Sequence, residues 1–416
     1  MNRLAVLVCL LAASFAGSAI AQEGEVPHGI PHLDHVFVIM MENHGYSQVV
    51  GNPNDPFVND YIKSANIATN YFAVGHPSLT NYLEVVGGSN FGVRTDNSPD
   101  WHDASCATNL STGFVSTDTP ATGNICPIRG TGTDAATPAI DFTNETTGPP
   151  GDIDIDGVKS YAANPLTVGK TIADQLDSAG LSWKTYQEDL PPTGADNVDL
   201  ADGFFTNNTV LTTALPGETT SLVGLYAVKH NPFAYFAGIQ SGDDSDSSLK
   251  NMVSFTGRGG LFSDLDSGHV PTYSFIVPNQ CHDQHGRGNA GPDCEYDPND
   301  NGTLVGLNPA LMNDGDAALE QIVVAIHHSP AWRDGRSVIL TVWDEDDYSV
   351  APTTNKVLMI VDTNDRREHV QSSQFYTHFS LLKSVEAGLG LPCLNHACDA
   401  STAVMWDLFG REEFGW

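Results

Sequence analysis

The chain has 416 residues, of which 51 are Asp or Glu and 18 are Lys or Arg, which gives a formal net charge of −33. This acidity argues against a nucleic acid polymer as a partner, because binding one needs a cationic track for phosphate contacts. The same field opposes anionic substrates, so a substrate that carries phosphate requires a local positive charge such as a bound metal ion.

Residues 1–21 are typical of a secretory signal. Arg3 supplies the positive charge, residues 4–15 form the apolar stretch and residues 19–21 the small-residue cleavage site, so a mature chain is expected to begin near Gln22. No later stretch approaches the roughly 20 apolar residues that a membrane span needs. We therefore expect a soluble product, secreted or periplasmic.

Six cysteines follow the signal, in pairs of near neighbours. An even number in an exported chain suggests three local disulfides, although other pairings are open. The expected pairs are Cys106 with Cys126, Cys281 with Cys294, and Cys393 with Cys398.

Strand and helix patterns alternate along the chain. Short apolar runs rich in β-branched residues predict strands at 34–41, 67–73, 181–186, 272–277, 337–343 and 356–361. Amphipathic patterns predict helices at 56–65, 171–179, 309–326 and 378–389. Because the strands are apolar on both faces, we expect an α/β fold of three layers, an α/β/α sandwich with a mainly parallel central sheet.

This rhythm is interrupted once. Residues 90–165 are rich in Thr, Gly, Pro, Asp and Asn, and their few large apolar residues predict a disulfide-stapled insertion rather than a separate core. We expect a linker at 22–32 and one catalytic domain at 33–416.

Two Asp-rich segments, which begin at Asp152 and Asp297, resemble the start of a calcium loop but lack the glutamate that an EF-hand needs at its twelfth position.

Ser78 follows a His-Pro pair and opens a predicted helix that ends at two glycines. Its hydroxyl is therefore expected at the positive end of the helix dipole, where a serine is most often only a cap. Polar side chains recur at the carboxyl ends of the predicted strands, where α/β sheets bind ligands. They are Glu42, Asn43 and His44, then Asn279, His282, Asp283 and His285, then Asp344, Glu345, Asp346 and Asp347, and finally His378.

Each of these residues alone has an ordinary structural explanation. Together, carboxylates, histidines and a hydroxyl at one edge of the sheet predict a divalent-cation site with Ser78 as ligand and nucleophile. No G-x-S-x-G, H-E-x-x-H, G-x-x-x-x-G-K-[ST] or post-strand G-x-G-x-x-G motif occurs.

Five segments, in this order, resemble the bacterial phosphoesterase family, which includes secreted acid phosphatases and phospholipase C-type enzymes and is similar to alkaline phosphatases. They are Met41-Glu42-Asn43-His44, Pro77-Ser78-Leu79-Thr80-Asn81-Tyr82-Leu83, Pro278-Asn279 with Asp283 and His285, Trp343-Asp344-Glu345-Asp346-Asp347, and His378-Phe379-Ser380-Leu381-Leu382. The resemblance covers residues 35 to about 400 and implies an alkaline phosphatase-like fold.

The resemblance also implies roles for individual residues. Glu42, Asn43, Asp344 and Glu345 would hold a divalent metal together with Ser78, and Asn81 would contact a phosphoryl oxygen. Asp283, His285 and His378 match positions that hold a second ion in two-metal relatives, whereas histidines contact the phosphate in one-metal relatives. His76 is expected to reach the phosphate or to shape the turn, and His282 stands where relatives usually have Asn.

The implied reaction is hydrolysis of a small-molecule or lipid phosphate ester through a phosphoserine at Ser78, with His285 or His378 protonating the leaving oxygen. One or two divalent metal ions would be the cofactor. The alternatives are a phospholipase C-like phosphodiesterase, a sulfatase, which the absence of a Cys/Ser-x-Pro-x-Arg motif disfavours, and a non-catalytic secreted calcium-binding protein.

Overall fold

The computed structural model describes residues 23–99, 125–134, 152–155, 159–190, 210–211, 222–223, 225–240, 249–286, 309–347, 354–365 and 369–410. The expected signal, Cys106, Cys294, the Asp297 segment and most of the expected insertion lie outside these residues. Cys393 and Cys398 form the expected disulfide. Cys126 and Cys281 are also disulfide-bonded.

The strands are β1 (His35–Met41), β2 (Asn66–Phe72), β3 (Thr131–Gly132), β4 (Asp152–Ile155), β5 (Lys159–Ala162), β6 (Thr167–Val168), β7 (Trp183–Gln187), β8 (Val210–Leu211), β9 (Leu222–Val223), β10 (Met252–Ser254), β11 (Tyr273–Val277), β12 (Ser337–Trp343), β13 (Lys356–Thr363), β14 (Gln371–Ser372) and β15 (Tyr376–Thr377). The helices are α1 (Tyr46–Val49), α2 (Pro56–Tyr61), α3 (Ser78–Gly87), α4 (Ile172–Ala179), α5 (Ala237–Gln240), α6 (Leu261–Ser267), α7 (Pro309–His328), α8 (Pro330–Arg333), α9 (His378–Leu389) and α10 (Trp406–Phe409).

A central sheet organises these elements in the order β10, β7, β11, β1, β12, β13, β2 and β14, with β15 also beside β2. The pairs from β10 to β12 are parallel. All residues of β11 and β12 are buried, and so are those of β1 after His35. Strands that are buried on both faces need helices on both sides. The mainly parallel α/β fold that we predicted from the strand pattern is confirmed.

Strand β13 runs antiparallel to both of its neighbours, β12 and β2, a detail that the sequence pattern did not reveal. As a result, the start of β13 lies at the edge of the sheet where β1, β11 and β12 end. Asn355, just before β13, contacts the loop after β12 through a hydrogen bond from its main-chain N–H to Asp346 Oδ2, 2.9 Å long.

The helices form two packed groups. Helix α3 contacts α4 and α9, whereas α7 contacts α2, α6 and α8. Helix α4 has the predicted ends: the hydroxyl of Thr171 accepts a hydrogen bond from the N–H of Ala173, and Gly180 adopts a left-handed conformation with φ 70°. No helix in the described part of the chain is long and apolar enough to cross a membrane. The segment that begins at Asp152 forms the hairpin of β4 and β5.

A buried ionic cluster joins the C-terminal part of the chain to residues of the expected insertion. His396 Nε2 lies 2.7 Å from Asp134 Oδ2, and its Nδ1 lies 2.7 Å from Asp399 Oδ2. Asp134 also accepts hydrogen bonds from the hydroxyl of Ser89 and the N–H of Asn164. Burial opposes the charge of His396, but the hydrogen bonds to Asp134 and Asp399 outweigh it and raise its pKa to about 10.

The cluster predicts a pH-dependent stability. Because the folded-state pKa of His396 exceeds its unfolded value of about 6.5, its contribution is complete below that value and is lost as the pH rises towards about 10. We expect the free energy of unfolding of wild type to exceed that of His396→Gln clearly at about pH 6 and by much less at about pH 10. Urea denaturation of both proteins measures this, and a difference that stays constant with pH contradicts it.

Candidate active site

Helix α3 places Ser78 at its first position, directly beyond the edge where the parallel strands end. Every residue of this helix is buried. The loop before it is closed by Asn81, whose Oδ1 accepts hydrogen bonds of 3.0 Å from the N–H groups of Val74 and Gly75. Asn81 Nδ2 donates to Gly75 O at 2.7 Å. Asn81, a residue of α3, therefore holds the turn that precedes this helix.

The hydroxyl of Ser78 lies among three charged side chains. Its Oγ is 3.1 Å from Glu42 Oε2 and 3.3 Å from Glu345 Oε1, and it can donate its proton to either. The ammonium of Lys229 donates to the same Oγ at 3.1 Å. Ser78 is 1% exposed and Lys229 is 1% exposed. A buried hydroxyl with two bases and one cation at hydrogen-bond distance is the arrangement expected of an activated nucleophile.

Glu42 links this hydroxyl to a second group of ligands. Its Oε1 lies 2.9 Å from His230 Nε2, and His230 Nδ1 lies 3.2 Å from Asp283 Oδ2. Each of the three residues offers one ligand atom, and these atoms lie within 4.8 Å of one another, so the three together can hold a metal ion. Glu42 thus faces Ser78 with one oxygen and a possible cation position with the other.

The acids after β12 reach the Ser78 site from a second loop. Asp344 Oδ1 accepts a 2.9 Å hydrogen bond from the main-chain N–H of Asn43, whose φ is 55°. Glu345 Oε2 lies 2.9 Å from His76 Nδ1 and accepts a hydrogen bond of 3.2 Å from Asn81 Nδ2. His76 therefore contacts the loop of acids rather than only shaping its own turn.

Burial and mutual repulsion perturb the carboxyl groups. Burial and the charges of Glu42 and Glu345 raise the pKa of Asp344 well above its ordinary value. Burial also raises the pKa of Glu345. For Glu42, burial opposes ionisation, but the charge of His230 and its hydrogen bond outweigh burial and lower the pKa.

The same interactions act in reverse on the buried bases. Burial opposes the charge of His230, but Glu42 and Asp283 outweigh it and raise its pKa to about 9. Burial likewise opposes the charge of Lys229, but Asp96, Glu42 and Glu345 raise its pKa. Without a bound ion, both side chains are therefore cationic at neutral pH and offset part of the negative charge.

The loop that carries Asp283 and His285 is anchored by Gln284, which has a φ of 78°. Its Nε2 donates to Asp55 Oδ1 at 2.7 Å and to Met312 O at 3.2 Å. Its Oε1 accepts a 2.8 Å hydrogen bond from Trp343 Nε1. The buried amide thus ties this loop to the end of β12.

His285 is in the site, next to Lys229. Burial and the charge of Lys229 lower the pKa of His285 well below its ordinary value, so its ring is neutral at neutral pH. Its Nε2 lies 3.4 Å from Lys229 Nζ and 4.0 Å from Glu42 Oε2, and its Nδ1 lies 3.3 Å from Gly286 O. The tautomer that is protonated on Nδ1 satisfies both close contacts.

Two of the predicted site histidines, His282 and His378, make other contacts and do not touch Ser78. His282 binds Glu188, with Nδ1 2.8 Å from Oε2, and its side chain is 36% exposed, so it does not join the Ser78 cluster. His378 contacts the hydroxyl of Tyr71 at 2.9 Å and the carbonyl of Asp344 at 2.7 Å, and burial lowers its pKa to about 4. With both nitrogens engaged, His378 supports the loop of acids and is not placed to donate a proton at Ser78.

Lys229 and His230 were missed because they follow no predicted strand; they form a short 3-10 turn at Val228–His230. The composition of the surrounding sequence could have pointed to these two residues. Two adjacent basic residues stand in a largely apolar stretch, residues 224–236, of a strongly acidic chain. Cations in such a context are rarely left without acidic partners.

Comparison with known proteins gives a family match. A family model described as the Phosphoesterase family matches residues 52–293, more than half of the chain. An acid phosphatase of Aspergillus fumigatus is 24% identical over 363 residues, which cover 87% of this chain and 56% of that protein. A phosphatidylinositol-3-phosphatase of Mycobacterium tuberculosis is 22% identical over 402 residues, which cover 95% of this chain and 90% of that protein. The chain thus spans just over half the length of the fungal relative.

Solved structures give weaker overall matches. A protein in the alkaline phosphatase superfamily from Vibrio parahaemolyticus superposes with a TM-score of 0.45 at 11% identity, over 91% of this chain and 72% of that one. A phosphonate monoester hydrolase of Agrobacterium radiobacter gives a TM-score of 0.42 at 13% identity, over 92% and 78%.

The anchoring by Gln284 predicts a large cost for its removal. Gln284→Ala deletes three buried hydrogen bonds and leaves Trp343 Nε1 and Asp55 Oδ1 without this partner, so we expect a loss of about 3 kcal/mol in the free energy of unfolding. Gln175→Ala, which removes one partly buried hydrogen bond to Pro392 O, is the control, with an expected loss of about 1 kcal/mol. Equal losses in urea denaturation would show that Gln284 is not an anchor.

Proposed function

Because the chain belongs to the Phosphoesterase family, we propose that this protein is a phosphoric ester hydrolase, most closely an acid phosphatase that acts through a phosphoserine at Ser78. The observation that carries the proposal is the contact of Ser78 Oγ with Glu42, Glu345 and Lys229. Neither a cap nor a packed core serine needs two carboxylates and a buried ammonium around its hydroxyl.

The chain's own residues account for activation of the nucleophile. Glu42 and Glu345 are the acceptors within reach of the hydroxyl proton, so one of them takes it as Oγ attacks phosphorus. Lys229 stabilises the charge that develops on Oγ and on the phosphoryl oxygens. The positive end of α3 acts in the same direction.

Of the two histidines expected to protonate the leaving oxygen, His285 is the one that contacts the Ser78 cluster. Its Nε2 accepts a hydrogen bond from Lys229 Nζ at 3.4 Å and so holds the ammonium beside Ser78 Oγ, while the leaving oxygen takes its proton from solvent water. Water then hydrolyses the phosphoserine. Asn81 donates one N–H to Gly75 O and the other to Glu345 Oε2, so the expected contact with a phosphoryl oxygen would replace the bond to Glu345.

A divalent cation fits the residues present. The buried oxygen Oδ2 of Asp344 has no hydrogen-bond partner within the described chain. Glu42, Asp344 and Glu345 crowd together, and their mutual repulsion is what a hard cation relieves. We propose that these three acids and Ser78 hold the ion, with Asn43 as a further ligand. Glu42, His230 and Asp283 would hold a second ion, for which His230 has to be neutral. When bound, such an ion supplies Lewis-acid stabilisation of phosphoryl charge.

We further propose an exported protein that acts on a small-molecule or lipid phosphate monoester. Both relatives described above are named as phosphatases, which favours a monoester over a diester. A phospholipase C-like diesterase remains the runner-up on the same residues. The alternative of a calcium-binding protein gains nothing from the Asp152 segment, because that segment pairs as a strand.

Removing the nucleophile tests the assignment. Ser78→Ala should lower the hydrolysis of p-nitrophenyl phosphate by about a thousandfold or more, because no other hydroxyl contacts both acids in the described chain. Thr80→Val is the matched control: Thr80 is buried in the same helix, and its hydroxyl has no hydrogen-bond partner within the described residues. Because the substitution removes no hydrogen bond there, activity should remain within about threefold of wild type. More than about a tenth of wild-type activity in Ser78→Ala would sink the assignment.

Metal removal tests the cofactor. Treatment with a chelator should lower the hydrolysis rate at least about tenfold, and adding back Mg²⁺, Mn²⁺, Ca²⁺ or Zn²⁺ should restore it with one of these ions. Asp344→Asn should raise the concentration of that ion needed for half-maximal rate by about tenfold or more. Full activity in the chelator, with no metal found in the purified protein, contradicts the proposed ion.

A further inference from the structure

The carboxylate of Asp96 occupies the hydrogen-bond donors that surround Ser78. Its Oδ1 accepts from the main-chain N–H of Leu79 at 3.0 Å, at the start of α3. Its Oδ2 accepts from Lys229 Nζ at 3.1 Å, and the same ammonium donates to Ser78 Oγ at 3.1 Å. One anion thus spans the first turn of the helix and the buried cation beside the hydroxyl.

These donors are the ones that a phosphoryl group on Ser78 would need. A group attached to Oγ brings its non-bridging oxygens next to Lys229, which already touches Oγ. The N–H of Leu79 belongs to the residue that follows Ser78, in the turn of a ten-residue helix where anions are favoured. The two oxygens of Asp96 therefore take the contacts that two phosphoryl oxygens would make.

Asp96 differs from the other acids around Ser78 because its side chain is partly exposed and can move away from Lys229. Its side chain is 22% exposed, whereas that of Lys229 is 2% exposed and that of Glu42 is fully buried. It lies in a segment without helix or strand. The backbone after it is held, since Tyr235 donates to Asn97 O at 2.9 Å and the N–H of Ile125 donates to Ser98 O at 2.9 Å. The carboxylate can rotate towards solvent while the backbone and the ammonium stay in place.

We propose, on the basis of the proposed function, that Asp96 is an internal competitor for the phosphoryl site: its carboxylate balances Lys229 in the free enzyme and is displaced by the phosphate ester and by product phosphate. The residue thereby sets how tightly the enzyme holds phosphate dianions. A carboxylate that stayed in place would oppose a dianion at close range, and like charges at such contacts are costly. Displacement weakens binding of substrate and product alike and speeds release of the product.

The test compares variants that change the net charge equally. Asp96→Asn removes the competing charge with little change in shape. Asp60→Asn removes an exposed carboxylate on α2 that pairs with Lys63, and it serves as the control. The inhibition constant of inorganic phosphate and the KM for p-nitrophenyl phosphate should both fall about tenfold in Asp96→Asn and stay within about twofold in Asp60→Asn. Asp96→Glu, which keeps a carboxylate, should stay closer to wild type than Asp96→Asn does.

The outcomes separate the inference from the function on which it rests. Unchanged or weaker phosphate inhibition in Asp96→Asn, or a fall in kcat without a fall in KM, overturns the inference and makes Asp96 a positioning residue for Lys229. If Asp96→Asn does not fold, as judged by circular dichroism, the same constants are measured for Asp96→Ser. A wild-type protein that neither hydrolyses the ester nor binds inorganic phosphate in calorimetry overturns the proposed function itself, and the inference with it.

Discussion

The balance of buried charge around Ser78 is the constraint on which the site depends. Glu42, Asp283, Asp344 and Glu345 are each at most 3% exposed. Carboxylates at this density repel one another strongly unless cations lie among them, and breaking such a balance by removing one partner is costly. Lys229 and His230 supply two of those cations, and His76 contacts Glu345. A divalent ion held by the oxygens that remain would complete the balance and would account for Asp344 Oδ2, which has no hydrogen-bond partner in the described part of the chain.

The fold delivers these charges by bringing loops from distant parts of the chain to one edge of the sheet. Strands β1, β11 and β12 are parallel and buried, so their carboxyl ends place Glu42, Asp283 and the acids after Trp343 side by side. The antiparallel β13 begins at that same edge, where Asn355 Nδ2 donates to Gly75 O at 3.1 Å in the loop before Ser78. Gln284 anchors the loop that carries Asp283, and His378 contacts the carbonyl of Asp344 in the loop after β12. The site is therefore rigid where the chemistry is proposed, and Asp96, the more exposed acid, is its adaptable part.

The strand pattern predicted this edge correctly because carboxyl ends of parallel strands necessarily meet. It identified Glu42, Asp344, Glu345 and Ser78, which the structure brings within contact of one another or of shared neighbours. The strand pattern could not identify Lys229, because residues 228–230 form a 3-10 turn, and such a turn has no periodic sequence pattern that would predict it. Proximity in sequence was also misleading: His282 adjoins Asp283 yet turns to Glu188, because neighbours in an irregular loop need not share a face.

The central claim is that Ser78 carries the phosphoryl group during turnover. The most direct measurement is mass spectrometry of peptides from wild-type protein that has been quenched in acid while it hydrolyses p-nitrophenyl phosphate. The account predicts a phosphorylated serine in the peptide that contains Ser78, and no such modification in Ser78→Ala under the same conditions. Steady turnover with an unmodified Ser78 peptide, or with phosphate found on another side chain, would contradict it.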